Sequence, residues 1–384
     1  MNRSVLPFIP VCEPTLQGNE EKYVMDAVKS SWIGSQGLYL DRLNKEFPQY
    51  LGVKFGTAVS NGTTALHLAC TAIGIGPGDE VVIPDFTMIA SAFAVAYTGA
   101  KPVFVDCMRD SWNMNIAQVE EKITSKTKAI MAVHIYGLAT PMEELLKIAK
   151  RHHLKVIEDA AEVHGSEYFG RKCGAFGDIA AFSFFANKNI TCGEGGFVVT
   201  SDEDLYKKCL YYKNLCFPMD RGRVYEHHHI GFNYRMTNLH AAVAVAQLER
   251  IDDLIEARRK NARLYNKYLA EIPGITLPIE PPNYKNTYWM YSIVLEDEFG
   301  MSRDALMSTL RDNNIDSRAF FVPMHQQPSL IKIGCREAGS QFDSLFPVSC
   351  EISKKGLYLP SASHLKASEI ERICTTIAKI REGV

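Results

Sequence analysis

Short apolar runs alternate with amphipathic stretches through most of the first 200 residues. Brief continuous apolar runs are typical of buried strands, whereas apolar positions that recur every third or fourth residue indicate helices. Because such strands are separated by helices, the pattern predicts a largely parallel sheet covered by helices on both faces. The predicted strands cover residues 55–60, 80–84, 102–106, 129–136, 155–159, 179–184 and 197–200.

Helical periodicity fills the segments between these strands and continues after them. The predicted helices cover residues 17–31, 40–51, 64–75, 89–97, 116–123, 142–151, 202–215 and 238–270. A turn-rich stretch at 277–283 then opens a second unit, with strands at 289–295 and 315–318 and helices at 303–313 and 367–381. The expected fold is α/β, with a large domain over residues 1–255 and a smaller C-terminal α+β domain over residues 256–384.

Bulk composition excludes several classes of protein. The 384 residues are 46% hydrophobic and carry a net charge of -2, so no basic footprint for nucleic acid is present. No apolar run approaches the roughly 20 residues that span a bilayer. The apolar part of the N-terminus is too short for a signal peptide. Ten scattered cysteines without a C-x-x-C pair favour free thiols in a reducing cytoplasm.

Three consecutive histidines, His227, His228 and His229, are the obvious candidates for metal ligands. Neighbouring side chains on an extended backbone point to opposite faces, and no carboxylate motif accompanies these residues. The sequence therefore predicts no metal site.

A single lysine, Lys188, lies in a polar loop between the apolar strands at 179–184 and 197–200. A lysine shielded from water loses its proton more easily and can attack carbonyl groups. Glycines 193, 195 and 196 follow, but Val198 stands where a dinucleotide-binding fingerprint needs its third glycine, and no Walker phosphate loop occurs. The alternative is a solvated loop lysine beside a glycine turn.

Two further features fall where predicted strands end, which is where ligands gather in such sheets. Residues 59–64 lead from strand to helix and suit a bound phosphate, although an ordinary N-cap by Ser60, Asn61 or Thr63 explains them equally well. Asp159 ends a buried strand and needs a cation or hydrogen bonds, which a protonated pyridine nitrogen would supply. A helix cap or structural ion pair is the alternative for Asp159.

A third feature follows the strand at 80–84. Phe86 or Met88 could cover a flat ring there, although both residue types are more often plain core. Taken in order, the chain offers a phosphate cradle, a ring cover, a carboxylate for a ring nitrogen and a lysine. These parts together would hold pyridoxal phosphate.

The chain also resembles the DegT/DnrJ/EryC1/StrS aminotransferases, within fold type I of the pyridoxal-phosphate enzymes. The resemblance is carried by motifs spread over nearly the whole chain. They are Ser60-Asn-Gly-Thr-Thr-Ala-Leu-His-Leu, Ile157-Glu-Asp-Ala-Ala, Phe182-Ser-Phe-Phe-Ala-Asn-Lys, Gly193-Glu-Gly-Gly, Gly231-Phe-Asn-Tyr-Arg-Met-Thr-Asn and Ser317-Arg-Ala-Phe-Phe-Val-Pro-Met-His.

The resemblance implies specific roles for residues of this chain. Lys188 would hold the cofactor as a Schiff base, and Asp159 would pair with its ring nitrogen. The cofactor phosphate would be held by Gly62, Thr63, Thr64 and Ser183, with Asn233 reaching it from the partner subunit. The expected substrate-binding residues are Trp32, Arg235, Arg318 and His325. For Arg318, binding of the donor's carboxylate or pairing with a nearby acid is an equally good interpretation.

Two positions depart from the usual family pattern. Met88 stands where an aromatic residue usually stacks on the cofactor, and its thioether would give a softer cover. Glu162 stands where many members carry glutamine near the phenolic oxygen. A glutamate there is expected to stay protonated or to repel a phenolate.

The implied activity is transfer of an amino group from L-glutamate to a nucleotide-linked 4-keto-6-deoxy sugar of surface glycan synthesis, with GDP-4-keto-6-deoxymannose as first choice. A homodimer with shared active sites is expected. A UDP- or dTDP-linked sugar or another ketone is the main alternative. A sugar dehydratase, in which histidine replaces the lysine, and a non-catalytic binding protein fit less well because Lys188 is present.

Overall fold

The computed structural model describes residues 7–219 and 224–383. The sequence also predicts a polar loop at 217–223, and this loop and the N-terminal segment used in the signal-peptide argument lie partly outside these residues. Within them, no helix combines the length and the apolar character needed to cross a membrane.

In the described part of the chain nine strands precede residue 201; seven match the predicted strands to within three residues at each end, and the two short strands at 167–168 and 171–172 were not predicted. Their bounds are β1 Phe55–Val59, β2 Glu80–Pro84, β3 Lys101–Val105, β4 Thr127–Val133, β5 Lys155–Asp159, β6 Glu167–Tyr168, β7 Arg171–Lys172, β8 Ile179–Ser183 and β9 Gly196–Thr200. The helices of this part are α1 Glu20–Lys29, α2 Leu38–Leu51, α3 Gly62–Ile73, α4 Ile89–Tyr97, α5 Val119–Lys122, α6 Met142–Arg151 and α7 Glu203–Tyr212.

The main sheet has seven strands in the order β1-β9-β8-β5-β4-β2-β3. Only β9 runs antiparallel to its neighbours, because the chain returns beside β8 after the loop that carries Lys188. The expected mostly parallel sheet between helices is therefore confirmed. One consequence is that the carboxyl ends of β2, β4, β5 and β8 share an edge, where an α/β sheet binds its ligands.

Buried apolar side chains cover both faces of this sheet. On one face Phe47 of α2 packs edge-to-face against Phe182, Phe184 and Phe197, with ring centroids 5.0–5.3 Å apart. Such contacts between aromatic rings stabilise a core beyond the area that they bury. They also fix the strands on either side of the Lys188 loop.

The single helix predicted at 238–270 is wrong, because two helices are present. These are α8 Asn238–Leu248 and α9 Ile251–Leu269. Of the two residues between them, Arg250 has φ -119° and ψ 12°, which is outside the helical region. Because no glycine or proline marks the break, periodicity alone could not reveal it.

The remaining elements form a smaller antiparallel sheet with its own helices. They are β10 Ile275–Thr276, β11 Tyr284–Lys285, β12 Tyr291–Leu295, α10 Arg303–Asp312, β13 Arg318–Ala319, α11 Pro328–Lys332, α12 Pro347–Lys355, β14 Gly356–Leu359 and α13 Ala367–Glu382. The sheet order is β10-β12-β14-β13, while β11 joins β6 and β7 in a separate small sheet.

Two details of this C-terminal part differ from prediction or stay untested. The strand predicted at 315–318 begins only at Arg318, because Ile315 makes a single bridge to Ile9 at the N-terminal segment. The expected domain boundary at residue 255 falls inside α9 and stays a prediction.

Candidate active site

Lys188 lies in the connection between β8 and β9, at the carboxyl end of β8. Its Nζ is 3.7 Å from the ring centroid of Trp289, which comes from the C-terminal part of the chain. Burial lowers the pKa of Lys188, while the charges of Glu162 and Asp159 act in the opposite direction. The net shift is downward, so the amine loses its proton more readily than an exposed lysine does.

Asp159 ends β5 and is only 6% exposed. Its Oδ2 accepts a hydrogen bond of 2.7 Å from Ser91 Oγ, and its Oδ1 accepts one of 3.2 Å from the backbone N–H of Ala161. Burial raises the pKa of this carboxyl more than the two donors and Lys188 lower it. A buried carboxylate with so little compensation is a suitable partner for a ligand cation.

Residues 59–64 form the expected strand-to-helix connection, and Asn61 is the N-cap of α3. Its side chain accepts from Thr64 N at 2.9 Å, and the Thr64 hydroxyl in turn accepts from Asn61 N. Within residues 7–219 and 224–383, no hydrogen bond occupies the backbone N–H groups of Gly62 and Thr63. The cap and the phosphate interpretation are therefore compatible, because the cap leaves two amides at the helix N-terminus for an anion.

Gly62 lies directly against Ser183. A Cβ on Gly62 would come within 2.7 Å of Ser183 Cβ, so a larger residue would displace the serine beside these free amides. The free amides, the undercompensated Asp159 and the shielded Lys188 together match the phosphate, the ring nitrogen and the carbonyl carbon of pyridoxal phosphate. The residues present therefore fit this cofactor.

Glu162 is 5% exposed, and its Oε2 accepts a 2.8 Å hydrogen bond from the backbone N–H of Tyr136. Burial raises the pKa of Glu162 to about 7, although Lys188 and the Tyr136 amide lower it. This direction agrees with the expectation that a glutamate at this position stays protonated.

The two candidates for a ring cover differ in location. Phe86 has no exposed surface and packs against Tyr136, Phe320 and Phe321, so it is a core residue. Met88 is 46% exposed at the start of α4, where its Sδ accepts from Ala90 N at 3.0 Å. Met88 is therefore the residue that remains free to cover a ring.

Trp32, Arg235 and Asn233 lie in a different region of the chain. Trp32 and Arg235 line a cavity of about 1290 Å³, and neither Lys188 nor Asp159 lines it. Arg235 Nη2 donates to Asn233 Oδ1 at 2.7 Å, which holds the Asn233 side chain outward. The backbone of Arg235 bridges Val59, so this arginine lies next to the 59–64 segment of the candidate phosphate site, although Lys188 does not line the cavity.

Arg318 forms an ion pair with Asp316, and its side chain is half exposed. Pairing with a nearby acid was one of the interpretations left open for this arginine. The structure shows that pairing, and a role of Arg318 toward substrate stays a prediction.

His325 has no exposed surface, and both of its ring nitrogens are engaged. Nδ1 lies 2.8 Å from Asp85 Oδ2, and Nε2 lies 3.0 Å from Asp343 Oδ1. Burial alone lowers the pKa of His325, but the two carboxylates outweigh it and raise this pKa. The geometry does not favour the expected contact with a sugar, because no ring nitrogen is left to make it.

Sequence reasoning missed two neighbours of the site. The contact of Ser91 with Asp159 joins α4 to β5 across 68 residues, so no local pattern connects the two side chains. Trp289 begins a predicted strand, and no local pattern indicates that its ring contacts Lys188. The histidines of the 227–229 segment have separate partners, since His227 contacts Leu215 O and His229 contacts Tyr211.

The model of the DegT/DnrJ/EryC1/StrS aminotransferase family matches residues 14–378. Among curated proteins, the chain is 44% identical to the GDP-perosamine synthase of Vibrio cholerae, over 96% of this chain and 98% of that protein. It is 42% identical to the GDP-perosamine synthase of Escherichia coli O157:H7, over 97% of this chain and 98% of that protein.

Among solved structures, DesV of S. venezuelae is 32% identical and superposes with a TM-score of 0.90, over 99% of this chain and 100% of that chain. 3-Amino-5-hydroxybenzoic acid synthase is 28% identical with a TM-score of 0.92, over 98% of this chain and 100% of that chain. The fold and the family thus agree across two independent comparisons.

Proposed function

This chain belongs to the DegT/DnrJ/EryC1/StrS aminotransferase family, and we propose that it aminates the C4 ketone of GDP-4-keto-6-deoxymannose with L-glutamate as donor. The activity class and the cofactor, pyridoxal phosphate, follow from the family. The observation that supports the GDP sugar is the 42–44% identity to three GDP-perosamine synthases over nearly their whole length.

Pyridoxal phosphate, when bound, supplies an electrophilic carbonyl carbon and a ring that withdraws electrons from the reacting bond. Lys188 is the residue that would hold it and then move protons. With its pKa lowered by burial, Nζ takes the proton from the α-carbon of glutamate. In the second half-reaction it delivers a proton to the sugar carbon that receives the amine.

Asp159 is the residue that would keep the ring nitrogen of the cofactor protonated, because its carboxylate would place a negative charge beside that nitrogen. Ser91 and the Ala161 amide orient the carboxylate for this contact. The free amides of Gly62 and Thr63, together with the hydroxyl of Ser183, would hold the phosphate. These residues would thereby position the cofactor beside Lys188.

We further propose a homodimer in which each active site uses residues of both subunits. Support comes from the cavity that Trp32 and Arg235 line without Lys188, and from four exposed apolar side chains that line the same cavity. These are Trp32, Ile33, Leu38 and Met219, which are 50–60% exposed. Apolar surface of this extent is typical of an interface, and the second copy of the chain is the occupant proposed here.

Subunit mixing tests the shared site. A Lys188→Ala chain and an Asn233→Ala, Arg235→Ala chain are each expected to be inactive. In the mixed dimer one site carries both lesions and the other carries none, so partial activity should return. No recovery, with subunit exchange verified by mass spectrometry, would contradict the shared site.

The acceptor is tested with 4-keto-6-deoxy sugars linked to GDP, UDP and dTDP under identical conditions. The expected result is product from the GDP sugar at the highest kcat/KM. Preference for a UDP or dTDP sugar would reject the proposed acceptor and leave the proposed aminotransferase activity unchanged.

We place the reaction in the cytoplasm, in agreement with ten free cysteines.

A further inference from the structure

A cluster of three metal-binding residue types lies in the C-terminal part of the chain. The ligand atoms of His325, Asp343 and Cys350 all lie within 4.8 Å of one another. His325 Nε2 is 3.0 Å from Asp343 Oδ1 and 3.8 Å from Cys350 Sγ. The sequence did not reveal this cluster, because His325 and Cys350 are 25 positions apart and no metal-binding spacing motif connects them.

The distances between these atoms suit a small tetrahedral ion. Zinc binds nitrogen, oxygen and sulfur at about 2.0–2.3 Å, so ligand atoms at tetrahedral angles are about 3.3–3.7 Å apart. The observed separations of 3.0 and 3.8 Å are close to that range. Small side-chain rotations would therefore bring the three atoms around one ion.

The histidine is already oriented by a carboxylate on its other nitrogen. Asp85 Oδ2 lies 2.8 Å from His325 Nδ1, and Asp85 Oδ1 accepts from the His325 backbone N–H at 2.8 Å. Asp85 holds the proton on Nδ1, so Nε2 is directed toward Asp343 and Cys350 and is the nitrogen that would bind an ion after losing the proton shared with Asp343. Carboxylates in this outer position are a regular feature of metal-binding histidines.

Access and chemistry limit which ion would bind. The Asp343 side chain is 42% exposed, whereas His325 and Cys350 are buried, so an ion would enter from the Asp343 side. One nitrogen, one sulfur and one oxygen ligand favour a borderline divalent ion such as Zn²⁺ over Mg²⁺ or Ca²⁺, which prefer oxygen.

We propose that His325, Asp343 and Cys350 form a Zn²⁺-class binding site with a water molecule as fourth ligand. On binding, the Cys350 thiol and the Nε2 of His325 each release a proton to solvent, so that Cys350 coordinates as thiolate and His325 coordinates through Nε2. The ion would join three segments, namely the turn at Met324–Gln326, the turn at Ser340–Leu345 and α12. Through Asp85 it would also stabilise the connection from β2 to Met88.

Zinc titration of the chelator-treated holoenzyme, under reducing conditions, tests the site. The background carries His227→Ala, His228→Ala and His229→Ala, so that the exposed histidines do not bind the ion. One Zn²⁺ per chain and a rise in thermal midpoint are expected. Co²⁺ should give the visible absorption bands of a tetrahedral site and a thiolate charge-transfer band.

Cys350→Ser is expected to weaken Zn²⁺ binding at least about tenfold and to remove the charge-transfer band, since a thiolate ligand is lost. Cys335→Ser is the matched control, because Cys335 is also buried in the C-terminal part but is outside the cluster. Asp343→Asn, on a partly exposed side chain, should also weaken binding. Wild-type affinity in both cluster variants, or no stoichiometric binding by the parent protein, would overturn the proposal.

Discussion

The two faces of β5 present neighbouring carboxylates in opposite electrostatic situations. Glu158 and Asp159 are both buried, and alternation along a strand directs them to opposite sides of the sheet. Glu158 accepts four hydrogen bonds, whereas Asp159 accepts two. The first is an internal structural group, and the second has capacity left for a ligand.

The surroundings of Glu158 satisfy both of its oxygens. Oε1 accepts from the backbone N–H groups of Phe176 and Gly177 at 2.7 and 2.6 Å, and Oε2 accepts from Gly174 N at 2.7 Å. His134 Nε2 completes the set at 3.1 Å, with its tautomer set because His134 Nδ1 accepts from Thr140 N. Burial alone would raise the pKa of Glu158, but these donors outweigh it and lower this pKa.

On the opposite face, burial dominates. The Ser91 hydroxyl and the Ala161 amide do not compensate for it, so the pKa of Asp159 is raised. The comparison shows that burial of a carboxylate does not by itself mark a functional site. A functional site is marked by a buried carboxylate that has too few hydrogen-bond donors around it, because such a charge binds a cation favourably.

Loss of the lysine on the Asp159 face should have the largest effect. Lys188→Ala is expected to reduce turnover by at least about 10⁴-fold, since nucleophile and proton carrier are lost together. Thermal stability should change little, because the cost of burying the Lys188 charge is lost together with the contacts of its side chain. Borohydride reduction and peptide mapping of the wild type should place the cofactor on Lys188, and labelling of another lysine would refute the assignment.

Asp159→Asn should separate rate from folding. An asparagine can still accept from Ala161 N and donate to Ser91 Oγ, so the fold should lose less than about 1 kcal/mol. The negative charge beside the ring nitrogen is lost, and turnover should fall by about 10²–10³-fold. Denaturant unfolding and steady-state kinetics measure the two effects. Near wild-type turnover would make Asp159 a structural cap instead.

Glu158→Gln should give the opposite result. Whichever carboxylate oxygen is replaced by the amide NH₂, that group then faces two N–H donors. The free energy of unfolding should therefore fall by about 2–3 kcal/mol. The kcat of the folded protein should stay within a few-fold of the wild type. A large loss of kcat at unchanged stability would remove the distinction between the two faces of β5.

Glu162→Gln should have the smallest effect and should depend on pH. The pKa of Glu162 is raised from 4.5 to about 7, so its protonated form is the one that the fold favours. This contribution to stability is complete below pH 4.5 and is lost as pH rises through 7. Above pH 7 the variant should therefore be more stable than the wild type, as measured by unfolding across pH 4–9.

The test compares the unfolding free energies of the wild type and Glu162→Gln at each pH. If their difference does not change between pH 4.5 and pH 7, the pKa of the Glu162 carboxyl is not raised. If titration of Glu162 affects turnover, kcat of the wild type should change near pH 7, and this change should be absent from Glu162→Gln. A control at pH 5 should give similar unfolding free energies for both proteins, because both side chains are then neutral.

Periodicity and residue type in the sequence by themselves determined the order of strands and helices, the mostly parallel sheet, and the lysine, aspartate and helix N-terminus of the candidate site. These features depend on short-range patterns, since a strand end and the helix that follows it are adjacent in the chain. The family motifs added a prediction of the cofactor and of the reaction.

Only the tertiary structure decided which buried groups are satisfied and which are free. The contact of Ser91 with Asp159, the ring of Trp289 under Lys188 and the enclosure of His325 between Asp85 and Asp343 all join residues that are far apart in sequence. Hydrogen-bond satisfaction is a property of three-dimensional neighbours, so a buried carboxylate is structural on one face of β5 and available to a ligand on the other.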